Sequence, residues 1–135
     1  MSADVALASA IRAAALGDAG VQALVLDRFY DDPPPDVTFP YITIGRIESR
    51  PVGASQREAL EHGVTLHVWS RYGGRAETLQ VIGALRDCLH NAALDVTERR
   101  LVLLFALFTD VFRSGDGRTT HGVLRLKAVT EPTEE

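Results

Sequence analysis

The chain has 135 residues, 46% of them hydrophobic and 24% charged, a balance that fits one ordinary globular domain and excludes disordered, collagen-like and disulfide-rich classes. Fourteen basic against eighteen acidic residues leave a formal charge of −4, the wrong sign for a protein that draws its affinity from neutralising phosphates, so tight binding of DNA or RNA is not expected. Cys88 is the only cysteine, which leaves no intrachain disulfide and no thiolate metal cluster and suits a reducing compartment.

The opening stretch MSADVALASAIRAAALGDAG is alanine-rich but carries Asp4, Arg12 and no long uninterrupted apolar run, so it reads as neither a signal peptide nor a membrane span. Val5, Leu7, Ala8, Ile11, Ala15 and Leu16 recur at helical spacing and predict an amphipathic helix over 3–16, with Asp4 placed to cap its first amides and Gly17 to end it. DAGVQALVLDRFYDD reads as a short helical turn and a brief extended piece. DDPPPD breaks both and makes a surface loop, because consecutive prolines fix φ and lack amide donors.

From Pro40 the pattern turns to strand. YITIGRIES is rich in β-branched residues, VGASQREAL is a polar excursion, and EHGVTLHVWSRY alternates, with Val64, Leu66 and Val68 on one face and Thr65, His67 and Trp69 on the other. A second helix is predicted over 74–91, its apolar stripe formed by Thr78, Val81, Ile82, Leu85, Cys88 and Leu89. The run LVLLFALFTDVF, 101–112, is apolar on both alternating faces, so a strand here needs covering twice, once by its own helices and once by something else, with a partner subunit as the candidate. SGDGR makes a turn, and THGVLRLKAVTE returns as a strand with Val123 and Val129 on one face and Leu124, Leu126 and Ala128 on the other. The expected fold is a single α+β domain over 1–135: a mainly antiparallel four-stranded sheet packed by an N-terminal and a central helix in α-ββ-α-ββ order, ending in a mobile acidic tail, 131–135. Hairpin neighbours follow from this pattern; the join between the two halves of the sheet does not.

Motifs that carry chemistry are absent. The chain has no phosphate loop, dinucleotide turn, metal-binding HExxH helix or GxSxG nucleophile elbow. His62 and His67 are five apart on one predicted strand, so they face opposite ways and cannot share a metal. Asp31 and Asp32 beside the prolines read as solvated turn residues, and the glycines of SRYGGR as a strand-to-helix corner rather than an anion site. No catalytic residue, cofactor or metal is assigned.

FPYITIG behind its proline-rich loop, HGVTLHVWSRYGGRAE, LRDCLHNAALDV, RLVLL and DGRTTHGVLRLKAVTE together resemble the phage tail completion family, over about residues 5–130. TLHVWSRYGGR and THGVLRLKA are the specific parts of that likeness, which is nearest to the tail terminators of gene transfer agents. The resemblance implies a non-enzymatic virion protein, assembled in the bacterial cytoplasm, that forms a homo-hexameric ring at the tail–neck junction. That ring would cap the major tail tube protein, stop its polymerisation and meet a head-side stopper or adaptor, with no membrane partner. DNA would pass through the lumen without specific binding, which the acidic balance suits. Candidates for the subunit interface are Leu103, Phe105, Leu107, Phe108 and Trp69; candidates for loops facing tube or lumen are Arg50, Gln56, Arg57, Asp116 and Arg118. Two rival readings are a head-completion or stopper component of the neck and, from another class, a small-ligand-binding or enzymatic α+β domain, which requires a concave pocket with converging polar groups. A nucleic-acid module requires a basic face that RYGGR alone does not make.

Overall fold

A computed structural model describes residues 2–53 and 58–133. Three helices and five strands follow the chain in the order α1 (Ala3–Gly17), α2 (Ala19–Val25), β1 (Phe29–Tyr30), β2 (Tyr41–Pro51), β3 (Leu60–Ser70), α3 (Ala76–Leu89), β4 (Arg99–Arg113) and β5 (Thr120–Pro132). The sheet order is β1-β2-β3-β5-β4. Every neighbouring pair is antiparallel except β1 with β2.

The α+β class holds, and the sheet has five strands rather than the expected four. The brief extended piece after the first helix is the fifth: Phe29 and Tyr30 pair in parallel with Ile42 and Thr43. Two arginines fasten it, Arg12 Nε donating to the Phe29 carbonyl at 3.0 Å and Arg28 Nε to the Pro40 carbonyl at 2.8 Å. The preceding helical turn is a seven-residue helix, α2, capped by Asp18, whose carboxylate accepts from Val21 N. The first helix is capped by Ser2, whose Oγ accepts from Val5 N, and not by Asp4. Asp4 sits inside the first turn and points to the sheet instead.

All three helices pack on one side of the sheet. Val64, Leu66 and Val68 of β3 and Leu124, Leu126 and Ala128 of β5 are buried there against Leu7 and Ile11 of α1 and Val81, Ile82, Leu85 and Leu89 of α3. Gly122 allows the close approach of α3: a Cβ at that position would stand 2.7 Å from Thr78 Cγ2 and 2.8 Å from Ile82 Cγ1. The join between the halves is β3 against β5, in unbroken register from Leu60↔Thr130 to Ser70↔Thr120. β5 runs through Pro132, so Glu131 and Pro132, the start of the expected tail, lie in the sheet, where Glu131 accepts from Arg100. Among the described residues no helix is long and apolar enough to cross a membrane.

Candidate assembly interface

β4 is a fifteen-residue edge strand, paired on one side with β5 and on the other with no strand among the described residues. Leu104 turns inward and is buried. Leu103, Phe105 and Phe108 stand opposite Val129, Lys127 and Arg125, on the face away from the helices. Register shifts between Leu101 and Leu103 and between Ala106 and Phe108 make Val102 and Leu107 extra residues that swell outward. Of nine exposed large hydrophobic side chains among the described residues, five are on this strand: Val102, Phe105, Leu107, Phe108 and Phe112. The doubly apolar run expected to be covered twice is thus covered once by the described residues of the chain.

The rest of the outward face divides in two. At the Arg50 end it is charged: Arg50 pairs with Glu61 at 2.9 Å, Lys127 approaches the same carboxylate at 3.6 Å, and Arg125 approaches Glu48 at 3.7 Å. The hydrogen bond from Arg50 holds the Glu61 carboxyl below the usual range. At the other end an aromatic row crosses the sheet in register, Tyr41↔Trp69↔His121↔Phe112. Trp69 stacks on His121 with centroids 3.9 Å apart, and its Nε1 donates to Thr43 Oγ1. Trp69 therefore has partners of its own and sits half-buried two strands away from β4, apart from the Leu103–Phe108 patch.

The loop candidates fall at opposite ends of the sheet. Arg50 belongs to the β2–β3 hairpin, whereas Asp116 and Arg118 belong to the β4–β5 hairpin beyond the aromatic row. Gln56 and Arg57 lie outside the described residues. Asp116 is a turn former: its carboxylate accepts from the amides of Arg118 and Thr119 and from the Thr119 hydroxyl, at 2.8 to 2.9 Å, which brings its pKa down to about 2. Arg118 is exposed. In SRYGGR, Gly73 adopts φ +103°, a conformation that glycine supplies freely.

One polar constellation has no signature in the sequence. Asp4 Oδ1 lies 2.7 Å from His62 Nδ1, and His62 Nε2 lies 2.8 Å from Thr130 Oγ1. Arg99 Nε donates to that hydroxyl at 3.1 Å, so the donors and acceptors close with the hydroxyl donating to Nε2 and Nδ1–H donating to Asp4. The order acid, imidazole, hydroxyl is that of a nucleophilic triad, but His62 and Thr130 are both 0% exposed, which gives a substrate no approach. The set instead ties the N-terminus of α1 to β3 and β5. Spacing along the chain gives no hint of it, since 58 residues separate Asp4 from His62. Among the described residues no group of three or more His, Cys, Asp or Glu side chains is arranged to hold a metal ion.

The model of one family, tail completion protein gp17, matches residues 9–131. The chain belongs to that family. Its role is therefore a structural one in tail completion. Among solved structures, a chain of a native gene transfer agent virion superposes with a TM-score of 0.89 at 24% identity, over 96% of this chain and 98% of that one, a likeness that establishes the fold. No curated protein matches. In this tail completion protein the closed Asp4–His62–Thr130 set ties α1 to the sheet.

Proposed function

We propose that this protein is a non-enzymatic tail terminator of a phage or gene transfer agent particle: a ring of identical copies that caps the tail tube, stops its polymerisation and joins the tail to the head-side neck. The observation that carries this reading is β4, an edge strand whose apolar side chains are left uncovered in a chain of the tail completion family. A monomer that kept such an edge bare would invite uncontrolled strand pairing, so the edge belongs in a contact between subunits. A ring built on that contact has two end surfaces. With one hairpin at each end of the sheet, each copy offers one hairpin toward the tube and the other toward the neck. Leu103, Phe105, Leu107 and Phe108 contribute to the subunit contact in this reading; Arg50, Gln56, Arg57, Asp116 and Arg118 serve the two ends or the lumen. DNA passes the lumen without specific binding, in keeping with the acidic balance.

Deleting the gene in the producing cell and imaging released particles by negative-stain electron microscopy tests this. Overlong or variable tails detached from filled heads are the expected result. Tails of normal length on normal heads would refute it, and leaking heads beside correctly finished tails would favour a stopper role.

A further inference from the structure

The sheet has a second bare edge. β1 pairs only with Ile42 and Thr43, so among the described residues β2 from Ile44 to Pro51 has no strand on its outer side. Along this stretch α1 and β2 flank a groove of about 450 Å³, whose apolar lining is Val5, Ala8, Phe29, Ile44 and Ile47 and whose polar lining is Asp4, Ser9, Arg12 and Asp31. Its accessible surface is more apolar than polar, and Val5 is 54% exposed. β4 lies at the opposite edge of the same sheet.

We infer that neighbouring copies join head to tail through these two edges, β4 of one copy seating along the β2–α1 groove of the next; this rests on the ring reading above and names its contact. Three observations choose a second copy as the occupant. First, β4 over Leu101–Thr109 has no charged residue and no proline, two of the usual protections of a free edge, and only its two bulges interrupt it. Second, the strand directions match. β2 runs antiparallel to β3, β3 to β5 and β5 to β4, so β4 runs opposite to β2. A copy related by rotation about an axis along the strands therefore presents its β2 antiparallel to β4, the pairing used by the four long strands of this sheet. Third, the two surfaces differ, one a protruding apolar strand and the other an apolar groove. Contact between unlike patches consumes one of each per copy and propagates until rotation closes the ring, whereas β4 against β4 would stop at a dimer and leave the groove empty.

Complementation of two edge variants tests this. Thr109→Arg spoils the β4 edge and Val5→Arg spoils the groove; both positions are exposed in the monomer. Native mass spectrometry of the purified full chain should show rings for the unaltered protein and monomers for each variant alone. An equimolar mixture should give heterodimers and nothing larger, because only the intact β4 of Val5→Arg and the intact groove of Thr109→Arg can meet. Thermal melting checks that each variant folds, and Val102→Arg with Ser9→Arg repeats the pair on the same two surfaces if either does not. Rings from either variant alone, or a mixture that stays monomeric, would overturn the edge contact while leaving the ring standing. If the unaltered chain is monomeric at every concentration and in isolated tails, the ring reading falls and the contact with it.

Discussion

His67 Nδ1 and His121 Nε2 lie 2.7 Å apart, on β3 and β5, joining diagonal positions on the outward face of the sheet. The His67 ring fits there because residue 45 is glycine: a Cβ would stand 2.3 Å from its Nε2. Burial lowers the pKa of both imidazoles, and for His121 the neighbouring His67 lowers it further while Asp110 opposes. One neutral ring donates and the other accepts, an arrangement that cannot survive a proton on every ring nitrogen.

This pair makes stability depend on pH. The unfolded chain takes up protons near the ordinary imidazole value of 6.5, before the folded chain does, so unfolding becomes easier as pH falls through that value toward the lowered folded pKa. Urea midpoints measured between pH 7.5 and 5.5 should decline. His121→Phe keeps a ring against Trp69 and removes one titrating group, and its midpoints should decline less. An unchanged slope in the variant would place the pH dependence elsewhere.

Asp4 is expected to matter more than its place in the first helical turn suggests. Asp4→Ala leaves the fully buried His62 without its Nδ1 partner and removes the acceptor for Ser49 Oγ. The expected loss is about 1–3 kcal/mol, the cost of an unpaired buried polar group. Ser2→Ala, which removes the helix cap, should cost about 1 kcal/mol. Denaturant titration of the two variants would rank them.

The seam between α3 and β5 admits changes of opposite sign. Thr78 Oγ1 is buried and finds no hydrogen-bond partner among the described residues. Thr78→Val keeps the shape and removes the orphan hydroxyl, for an expected gain of about 1 kcal/mol. Gly122→Ala pushes a methyl into Thr78 and Ile82 and should cost about 1–3 kcal/mol by overpacking. Urea midpoints that moved together would show that the seam is looser than its distances imply.

On β4, inward and outward positions should separate stability from assembly. Leu104→Ala empties a fully packed site and should cost about 2–5 kcal/mol. Phe108→Ser, at a side chain 50% exposed, should leave monomer stability within about 0.5 kcal/mol while reducing the assembled fraction measured by native mass spectrometry. Full assembly of Phe108→Ser would exclude that side chain from the contact.

The sequence by itself determined the elements whose signal is local. The alternation of β3 and β5 separated buried Val64, Leu66, Val68, Leu124, Leu126 and Ala128 from their outward neighbours, because a strand sends successive side chains to opposite faces. The stripe from Thr78 to Leu89 marked the buried side of α3, and the family resemblance rested on contiguous runs. The two-sided apolar character of 101–112 also marked a strand with apolar side chains on both faces, although not that β4 is an edge strand. Tertiary structure decided what depends on residues far apart in the chain. β1 is two residues long, too short for any periodicity, and exists because Arg12 and Arg28 hold it against β2. Asp4 reads as a cap until β3 brings His62 to it, and Ser2 takes the capping role. The pairing of β3 with β5 sends the two hairpins to opposite ends and leaves β4 at one edge and, beyond the two residues of β1, β2 at the other, since strand order is set by which apolar faces share the helical layer and not by sequence order.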